Sequence, residues 1–424
     1  MNAPTRQRIG ILGGGAAGLA AAWLLEHDHA VTLFEQADRL GGHAFTVTVE
    51  QDGERVGIDA GFEFFSERMF PRFTRLLNLL GVPLRHYPMT ATFYTPDNRS
   101  VRLLPPLRDG RLVWGALKPR PLLDLLQFGY ALQCATPLMR ARDTSVTLAQ
   151  FLAGLPLTRA FKRGFMAPFL LAGWCVEPEE FLHFSAYDVL SYSYWHRPTG
   201  LAPVQWSEVV GGTQTYVRAL AQALTQATVK TACAVVDVTR RGAGFCLRAA
   251  DGRETEVDHL ILATNARAAG RLLETVDGTE DLRRSLDQIE YFKTTIAVHG
   301  DARLMPADRR YWSVVNTRYD GRHSANTVWK AWKSRALLLR SWVTHEARLP
   351  EPLFGLVEFE HPKVNARYFE AQRSLAPCQG QGHVWLAGAY VRDVDCHESA
   401  VVSALDIARR LAPGAARLRE VEAG

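Results

Sequence analysis

The chain has 424 residues, of which 47% are hydrophobic, and its 49 Lys and Arg against 44 Asp and Glu give a formal net charge of +5. This length suits two domains with large cores, and the mild basic excess favours anionic substrates or lipid surfaces but gives no indication of nucleic-acid binding. The six cysteines are scattered without metal-ligand spacing, and no stretch approaches about 20 uninterrupted apolar residues. We therefore expect no disulfide scaffold, no metal site, no membrane span and a cytoplasmic location.

The first predicted elements are a strand, a glycine turn, a helix and a second strand. The segment RIGIL has the composition of a short strand, AAGLAAAWLLEH that of a helix, and AVTLFE that of a strand. The basic start followed by an apolar run has the outline of a secretory signal. The glycines exclude it, because each of Gly13, Gly14 and Gly15 would cost about 1 kcal/mol inside the helix of a signal.

Gly13, Gly15 and Gly18 fit the pattern GxGxxG at this junction, and Glu35 ends the second strand. Gly13 is predicted to make the tight turn, Gly15 to let a pyrophosphate approach the backbone, and Gly18 to allow close packing of helix and strand. The helix N-terminus offers free N–H groups to the phosphates, and Glu35 can accept a hydrogen bond from a ribose hydroxyl. The predicted dinucleotide site also includes Ala16, Ala17 and Gln36.

A second glycine turn follows in EQADRLGGHAFT, where Arg39 precedes Gly41, Gly42 and His43. With this extension the sequence resembles the FAD-binding fold of the amine oxidase, phytoene desaturase and protoporphyrinogen oxidase superfamily. The last position of the motif is commonly arginine in that superfamily, and here it is His43.

Later segments resemble the same superfamily in the same order. VGIDAGFEFF resembles its D-x-G segment, SEVVGGTQTYVRALAQAL its second glycine pair and helix, and LILATN the strand that closes its nucleotide domain. GHVWLAGAYVRDVDCHESAVVSALDIARRL resembles its closing motif, in which a helix N-terminus points at the flavin pyrimidine. The resemblance implies cofactor contacts from Gly61, Phe62, Val236, Val238, Thr264, Asn265, Gly388, Glu398, Ser399, Ala400 and Val401, with Val236 and Val238 flanking the adenine.

Within the superfamily, the sequence is most similar to a bacterial "NAD/FAD-binding protein" branch encoded beside cyclopropane-fatty-acid-synthase-like methyltransferases. The shared features are the GGH variant, MFPRFTRLLNLLG, VQWSEVVGG and the pair His397-Glu398. This chain has Ser399 where the branch usually carries a glycine. The contact to flavin O2 is therefore carried over by position only.

The resemblance implies an α/β fold with a discontinuous, Rossmann-like FAD-binding domain of the glutathione reductase type, formed by residues 1–75, 204–287 and 379–424. Residues 76–203 and 288–378 would form an α+β substrate domain with an antiparallel sheet and a helical cap. Helical periodicity in the first segment and the strand patterns FKTTIAVHG, RYWSVVNT, NTVWKAWKS and LLLRSWVTH in the second agree with this division.

Two features of the substrate domain have alternative interpretations. Its strands are rich in aromatic residues, which would form either an apolar substrate wall or ordinary half-buried strand positions; they are Tyr311, Trp312, Trp329, Trp332 and Trp342. The Leu-rich stretch from Leu103 to Met139 is flanked by basic residues and would be either an ordinary helical cap or a surface for peripheral membrane contact; the basic residues are Arg102, Arg108, Arg111, Lys118, Arg120 and Arg140.

Three residues are candidates for catalysis. Lys293 occupies roughly the position of a lysine that holds a water near flavin N5 in amine oxidases of the superfamily, but an exposed strand lysine is the usual case. His43 follows the second glycine turn and could donate a hydrogen bond or carry a proton near neutral pH. His397 lies beside Glu398, which could instead cap the last helix. Cys396 lies beyond the position of the cysteine in covalent relatives, so we expect non-covalent FAD.

The sequence therefore predicts an FAD-dependent oxidoreductase that takes a hydride from a hydrophobic, acyl or lipid-like substrate. An amine oxidase, with Tyr390 as one of two aromatic residues facing each other over the flavin, and a redox-neutral flavin isomerase are alternatives. A further alternative is a non-catalytic flavoprotein partner of a methyltransferase. No second GxGxxG is present for NADPH, so electrons would pass to O2, a quinone or a protein, or return to the substrate. The oligomeric state stays open.

Overall fold

A computed structural model describes residues 6–51, 53–97, 101–108, 111–197 and 204–423. Residue 203, where the first substrate-domain segment is predicted to end, lies outside these ranges. Of Arg108 the structure describes the backbone and not the side chain.

The described strands are β1 (Arg8–Leu12), β2 (Ala30–Phe34), β3 (Thr46–Gln51), β4 (Glu54–Asp59), β5 (Phe64–Phe65), β6 (Leu84–Pro88), β7 (Ala91–Tyr94), β8 (Val101–Leu104), β9 (Leu107–Arg108), β10 (Arg111–Leu112), β11 (Gln205–Val209), β12 (Thr228–Lys230), β13 (Val235–Arg241), β14 (Gly244–Ala249), β15 (Glu254–Val257), β16 (His259–Leu262), β17 (Tyr291–His299), β18 (Val315–Tyr319), β19 (Ser324–Trp329), β20 (Leu339–Trp342), β21 (Leu353–Pro362) and β22 (Val384–Leu386).

The described helices are α1 (Ala16–Leu25), α2 (Pro71–Leu79), α3 (Pro119–Cys134), α4 (Thr136–Ala141), α5 (Leu148–Gly154), α6 (Arg159–Phe161), α7 (Ala167–Leu171), α8 (Pro178–Phe181), α9 (Ala186–Trp195), α10 (Gln214–Gln222), α11 (Ala266–Leu272), α12 (Glu280–Asp287), α13 (Ala366–Leu375), α14 (His397–Leu411) and α15 (Ala416–Glu422). A π-helical turn, Lys162–Met166, joins α6 to α7.

Five of the described strands form a parallel sheet in the order β12-β2-β1-β16-β22. Its two faces bury alternate residues: Ile9 and Ile11 pack toward α1 and α14, whereas Leu260 and Leu262 pack with the antiparallel sheet β13-β14-β15. Helix α1 is buried along almost its whole length, as expected for a helix that is apolar on all sides. This is the Rossmann-like part of the predicted fold.

Seven of the described strands form the sheet β21-β17-β20-β19-β18-β7-β8. The sequence predicts an antiparallel sheet, and each pair of neighbours is antiparallel except β7 and β18, which run parallel. The ten-residue strand β21 was missed, because LFGLVEFEHP contains a glycine, a proline and charged residues that lack a clear strand pattern.

Helices α3 to α9 form the helical cap. Its core contains Phe128, Phe161 and Phe165, and it is continuous with the side chains beneath the parallel sheet, such as Leu12 and Leu260. None of the described helices is both long enough and apolar enough to cross a membrane.

Candidate active site

A cavity of about 1030 Å³ extends from the parallel sheet to the seven-stranded sheet and the cap. It begins where β1, β2 and β16 end, at Gly13, Glu35 and Ala263. In open α/β sheets, ligands bind outside the carboxyl ends of the parallel strands, and this cavity lies at that edge.

The first glycine turn gives the cavity a wall of bare main chain. A Cβ built on Gly15 would meet no protein atom within 4 Å, so the space in front of this residue is open. A Cβ on Gly13 would lie 2.5 Å from the Ala263 carbonyl oxygen, and one on Gly18 would lie 1.9 Å from the Gly13 carbonyl oxygen. Gly13 and Gly18 therefore permit close packing of the turn, and Gly15 faces the cavity at the N-terminus of α1.

Glu35 joins the two glycine turns. Its Oε2 accepts a hydrogen bond from the Gly14 N–H at 2.7 Å, and its Oε1 accepts one from the Ala37 N–H at 2.9 Å. The Gly41 N–H donates to the Gly14 carbonyl at 2.8 Å, which brings the second turn against the first. Each carboxylate oxygen keeps acceptor capacity for a further donor in the cavity.

Most residues of the predicted cofactor site line this single cavity. They are Gly13, Gly15, Ala16, Ala17, Glu35, Gln36, Gly41, Gly42, His43, Gly61, Phe62, Val236, Thr264, Asn265, Gly388 and Ala400. His397 and Tyr390 also line it. Gly18, Arg39, Val238, Lys293, Glu398, Ser399 and Val401 lie outside its lining.

His43 turns its accessible face into the cavity. Its Nε2–H donates to the Glu360 carbonyl at 3.2 Å, and the ring stacks on Phe359 with centroids 5.1 Å apart. Enclosure by protein lowers the pKa of His43, although the bond to Glu360 opposes this shift. The imidazole is therefore neutral near pH 7, and its Nδ1 is an acceptor.

His397 is held as a second neutral imidazole. It stacks on Phe62 with centroids 3.8 Å apart, and its Nε2 lies 3.1 Å from the Tyr216 hydroxyl. Burial lowers the pKa of His397 to about 3. A proton carrier near neutral pH needs a pKa close to 7, so this ring is suited to packing and hydrogen bonding rather than proton transfer.

Two buried carboxyl groups in the cavity wall were not predicted from the sequence. Asp188 and Asp395 both line the cavity, and Asp188 Oδ2 accepts a hydrogen bond from the Asp395 N–H at 3.0 Å. Burial raises the pKa of Asp395 to about 7, and burial together with the charge of Asp395 raises the pKa of Asp188 well above its usual value. A group with a pKa near 7 can both hold and release a proton at physiological pH.

A buried ion network joins the D-x-G segment to the seven-stranded sheet. Lys330 Nζ lies 3.0 Å from Glu63 Oε1 and 2.6 Å from Glu208 Oε2. Arg340 donates to the carbonyls of Ala60 and Gly61, at 3.2 and 3.0 Å. This network fixes the loop that follows β4 and so positions Gly61 at the cavity.

The part of the cavity between the cap and the seven-stranded sheet is lined mainly by apolar side chains, and Asn326 and Arg340 of this sheet also line the cavity. Phe169, Leu170 and Trp174 of the cap face Ile296 and Trp342 of the seven-stranded sheet. Among the five aromatic residues considered as a substrate wall, Trp342 alone lines the cavity. The other four do not belong to the cavity lining. Trp312 and Trp329 pack edge to face with ring centroids 5.0 Å apart. The Trp332 indole N–H donates to Glu208, and the Tyr311 hydroxyl lies beside Gly115. We call this part of the cavity, with its five apolar lining residues, the substrate chamber.

Comparison with known proteins assigns the chain to a protein family. The model of the flavin containing amine oxidoreductase family matches residues 16–300, which is more than half of the sequence. The chain belongs to this family. It is an FAD-dependent oxidoreductase, and the superfamily predicted from the sequence is confirmed.

Solved structures with the same fold span nearly the whole chain. A CLA-producing fatty acid isomerase from P. acnes has a TM-score of 0.69 at 16% identity and covers 96% of this chain and 99% of its own. Cyclohexylamine oxidase from Brevibacterium oxydans IH-35A has a TM-score of 0.65 at 18% identity, with the same coverage. Putrescine oxidase, in its wild-type form bound to putrescine, has a TM-score of 0.64 at 15% identity, again with 96% and 99% coverage.

The residues present fit FAD. The open space before Gly15, the N-terminus of α1 and the acceptor capacity of Glu35 provide room for a diphosphate, donors for its charge and a partner for a ribose. Gly15, the N-terminus of α1 and Glu35 would hold the adenosine diphosphate half of FAD. The cavity beyond Gly42 and Gly61 leads to the substrate chamber.

The predicted adenine contact of Val238 is wrong. A bulge between Val235 and Asp237 shifts the register of β13, so that Val235 and Val236 both line the cavity and Val238 is fully buried in the core. The contact of Val238 was implied by the resemblance to the superfamily, and the bulge places this side chain away from the cavity.

Lys293 does not approach the flavin site. Its side chain is 68% exposed and lies 4.0 Å from Glu358 on the neighbouring strand. Tyr291, Phe292 and Ile296 are the residues of β17 that line the cavity, and Lys293 is not among them. The prediction that Lys293 acts near N5 is therefore wrong.

The other residues outside the lining support the site. Glu398 accepts hydrogen bonds from the backbone N–H groups of Arg72 and Phe73 and so caps α2, whereas the structural alternative considered for it was a cap of its own helix. Arg39 donates to the Gly42 carbonyl at 3.3 Å and stabilises the second glycine turn. Ser399 and Val401 are buried in α14. Direct contacts of these side chains with the flavin are not supported by their positions.

Proposed function

We propose that this enzyme oxidises a hydrophobic, acyl or lipid-like substrate by desaturation or dehydrogenation. The observation that carries the proposal is the continuity of the FAD cavity with the apolar substrate chamber. Bound FAD supplies a hydride acceptor at N5 of its ring. The protein therefore has to orient an apolar chain and exclude water, and Phe169, Leu170 and Trp342 are suited to both tasks.

Asp395 is the side chain best suited to hold a proton in this reaction. Its carboxyl lines the cavity next to Asp188, and its pKa of about 7 leaves it partly ionised at physiological pH. It could accept the proton that leaves a substrate together with a hydride. The neutral imidazole of His43 would accept or donate hydrogen bonds without changing its charge.

An amine substrate is the alternative that a specific observation favours. An ionised Asp395 would attract a substrate ammonium group, and one structural neighbour is bound to putrescine. The fold is also that of a fatty acid isomerase. If this enzyme catalyses an isomerisation, the substrate would return to its original oxidation state. Both alternatives use the same cavity and differ in the product.

We also propose that FAD is bound without a covalent bond and that the enzyme works in the cytoplasm. Burial raises the pKa of the Cys396 thiol, which lines the cavity, to about 12, and a protonated thiol is a weak nucleophile. All six cysteines are free thiols, which suits a reducing compartment. Acid precipitation should release the flavin into the supernatant.

A lipid substrate would be reached from a membrane surface. Helix α3 buries Phe128 and Ala131 but exposes Leu123, Leu126 and Tyr130 on its other side, and Trp114, just before the helix, is 79% exposed. The exposed basic residues Arg111, Lys118 and Arg120 flank this surface. Apolar side chains bordered by cations suit contact with an anionic bilayer, so we propose a peripheral membrane contact here.

The proposed reaction is tested by anaerobic mixing of the FAD-loaded enzyme with phospholipid acyl chains, free fatty acids and amines. Loss of the flavin absorbance near about 450 nm with an acyl compound supports the proposal. Loss with amines alone would support the amine oxidase alternative. Conversion of a fatty acid without lasting bleaching would support the isomerase, and an unchanged spectrum and unchanged compounds throughout would contradict the proposal.

A further inference from the structure

Three side chains that are distant in the sequence meet outside the flavin cavity. Glu177 lies between α7 and α8 of the cap, His323 precedes β19, and His345 follows β20. One ligand atom from each of the three lies within 4.8 Å of the other two. The sequence predicts no metal site because its cysteines lack metal-ligand spacing. The meeting of these three side chains depends instead on the packing of the cap against the sheet.

The distances are close to those of a metal site. His323 Nε2 lies 3.4 Å from Glu177 Oε1, and His345 Nδ1 lies 3.9 Å from the same oxygen. Ligands of a tetrahedral zinc ion, each about 2.0–2.2 Å from the metal, lie about 3.3–3.5 Å apart. Small side-chain movements would therefore bring the three atoms to bonding distance.

The orientation of His345 supports the same interpretation. Its Nε2–H donates to the Cys175 carbonyl at 3.0 Å. When the ring is neutral, this bond leaves the free lone pair on Nδ1, the nitrogen nearer to Glu177. A backbone carbonyl that orients the far nitrogen of a histidine is the usual support of a metal ligand. The two imidazole rings stack with centroids 4.1 Å apart and 9° between their planes.

The local charges permit a cation. Arg322 contacts Glu177 Oε2 at 2.8 Å and Glu179 at 3.5 Å, which leaves Glu177 Oε1 facing the histidines. Arg318 is paired with Glu346. Asp320 and Arg318 line a small cavity together with the two histidines. Each arginine near the site is thus matched by at least one carboxylate.

We propose that Glu177, His323 and His345 bind one divalent transition-metal ion of the zinc type. Two imidazoles and one carboxylate suit Zn²⁺, and the partial exposure of Glu177 leaves the fourth position to water. The ion would tie the cap to the seven-stranded sheet. Gly173 and Trp174, which precede Cys175, and Trp342, which ends β20, line the FAD cavity, so the ion would stiffen one wall of the substrate chamber.

The test uses the full-length, FAD-loaded protein without a histidine tag, stripped with a chelator and then titrated with Zn²⁺. We expect one zinc ion per chain and a higher melting temperature with zinc. The variants His323→Ala and His345→Ala should bind on the order of 100-fold more weakly and lose the zinc-dependent stabilisation. The control His183→Ala removes an exposed cap histidine and should bind as the wild type does.

X-ray absorption at the zinc edge distinguishes these ligands from others. The expected spectrum contains two imidazoles and no sulfur. A sulfur neighbour at about 2.3 Å, or equal zinc affinity in the wild type and the double variant H323A/H345A, would overturn the proposal. Flavin absorbance and melting temperature without zinc show that each variant is folded.

Discussion

The Asp395 N–H donates to Asp188 Oδ2 at 3.0 Å, and both aspartates line the flavin cavity. Such pairs resist simultaneous ionisation, because a like charge and burial both favour the protonated form. The stability of the protein should therefore depend on the pH in a way that Asp395 controls.

For Asp395 the folded-state pKa of about 7 exceeds the value of about 3.9 expected in the unfolded chain. The folded state binds more protons between these values, so the free energy of unfolding should decrease as the pH rises from about 4 to 7 and then level off. Asp395→Asn removes the contribution of Asp395 to this loss, and its melting temperature should exceed that of the wild type more at pH 8 than at pH 5. The exposed control Glu67→Gln should show no such trend.

The same substitution tests the proton-holding role. In the wild type, the rate of flavin reduction by substrate should rise with pH through about 7, as Asp395 ionises. In Asp395→Asn the rate should be lower and this rise should disappear. A pH profile with an unchanged rise would show that another group holds the proton.

The two lysines of the seven-stranded sheet region should behave in opposite ways. Lys293→Ala removes an exposed side chain and should change the free energy of unfolding by no more than about 0.5 kcal/mol. The rate of flavin reduction should stay close to that of the wild type. Lys330→Met removes the nearest cation from the buried Glu63 and Glu208, which keep only the more distant Arg340 and Lys333, and should destabilise the protein by about 3 kcal/mol in chemical unfolding. A large loss of activity with normal stability in Lys293→Ala would restore the catalytic role predicted from the sequence.

Gly15 should be needed for flavin binding but not for folding. Its backbone has φ −78°, which any residue adopts, and an added Cβ meets no protein atom within 4 Å. Gly15→Ala should therefore melt at the temperature of the wild-type apoprotein and bind FAD at least about 10-fold more weakly, because the methyl group occupies the space before the backbone. Flavin fluorescence titration measures this change.

Gly129→Ala is the matched control for Gly15. Gly129 lies in α3, and an added Cβ there also meets nothing within 4 Å. This variant should bind FAD normally and be more stable by up to about 1 kcal/mol, since alanine is the better helix former. Equal FAD affinity in both variants would contradict the role of Gly15 as the diphosphate wall.

Membrane contact by α3 is tested by flotation with liposomes. Leu126 is 72% exposed in the middle of the apolar surface, and Leu126→Asp should reduce binding to anionic vesicles by about tenfold or more. The exposed substitution Leu349→Asp, at a position outside this helix, should have no effect. Absence of wild-type binding to anionic vesicles would exclude the proposed contact.

Local patterns predicted the nucleotide-binding elements well. The strand, turn and helix around Gly13 and the hairpins after Val235 depend on residues close in sequence, and each occurs where it was expected. The contacts of Val238 and Lys293 were wrong for related reasons. A single bulged residue decides which side chains of β13 face the cavity, and the pairing of β17 with β21 places Lys293 near the exposed Glu358; neither is visible in composition.

Residues brought together by tertiary packing could not be predicted. Asp188 lies in the cap and Asp395 precedes α14, so their contact depends on the packing of segments that are distant in the sequence. Glu398 has features of a helix-terminal acid in the sequence, but its partners are backbone groups of α2 rather than those of its own helix.

The central claim is that one cavity holds FAD at its glycine end and an apolar substrate at the other. Gly173 lines the cavity next to Trp174 of the substrate chamber, and a Cβ added there meets only the Leu170 carbonyl oxygen, at 3.7 Å, so the backbone leaves room for a larger side chain. Gly164, exposed in the same cap, offers a matched control.

The decisive measurement is the rate of anaerobic flavin bleaching by an acyl substrate in Gly173→Phe, Gly164→Phe and the wild type. Both variants should keep full FAD occupancy, and Gly173→Phe alone should be slowed by at least about tenfold, equivalent to about 1.4 kcal/mol in the barrier. Bleaching at the wild-type rate in Gly173→Phe would contradict the claim that the substrate reaches the flavin through this chamber.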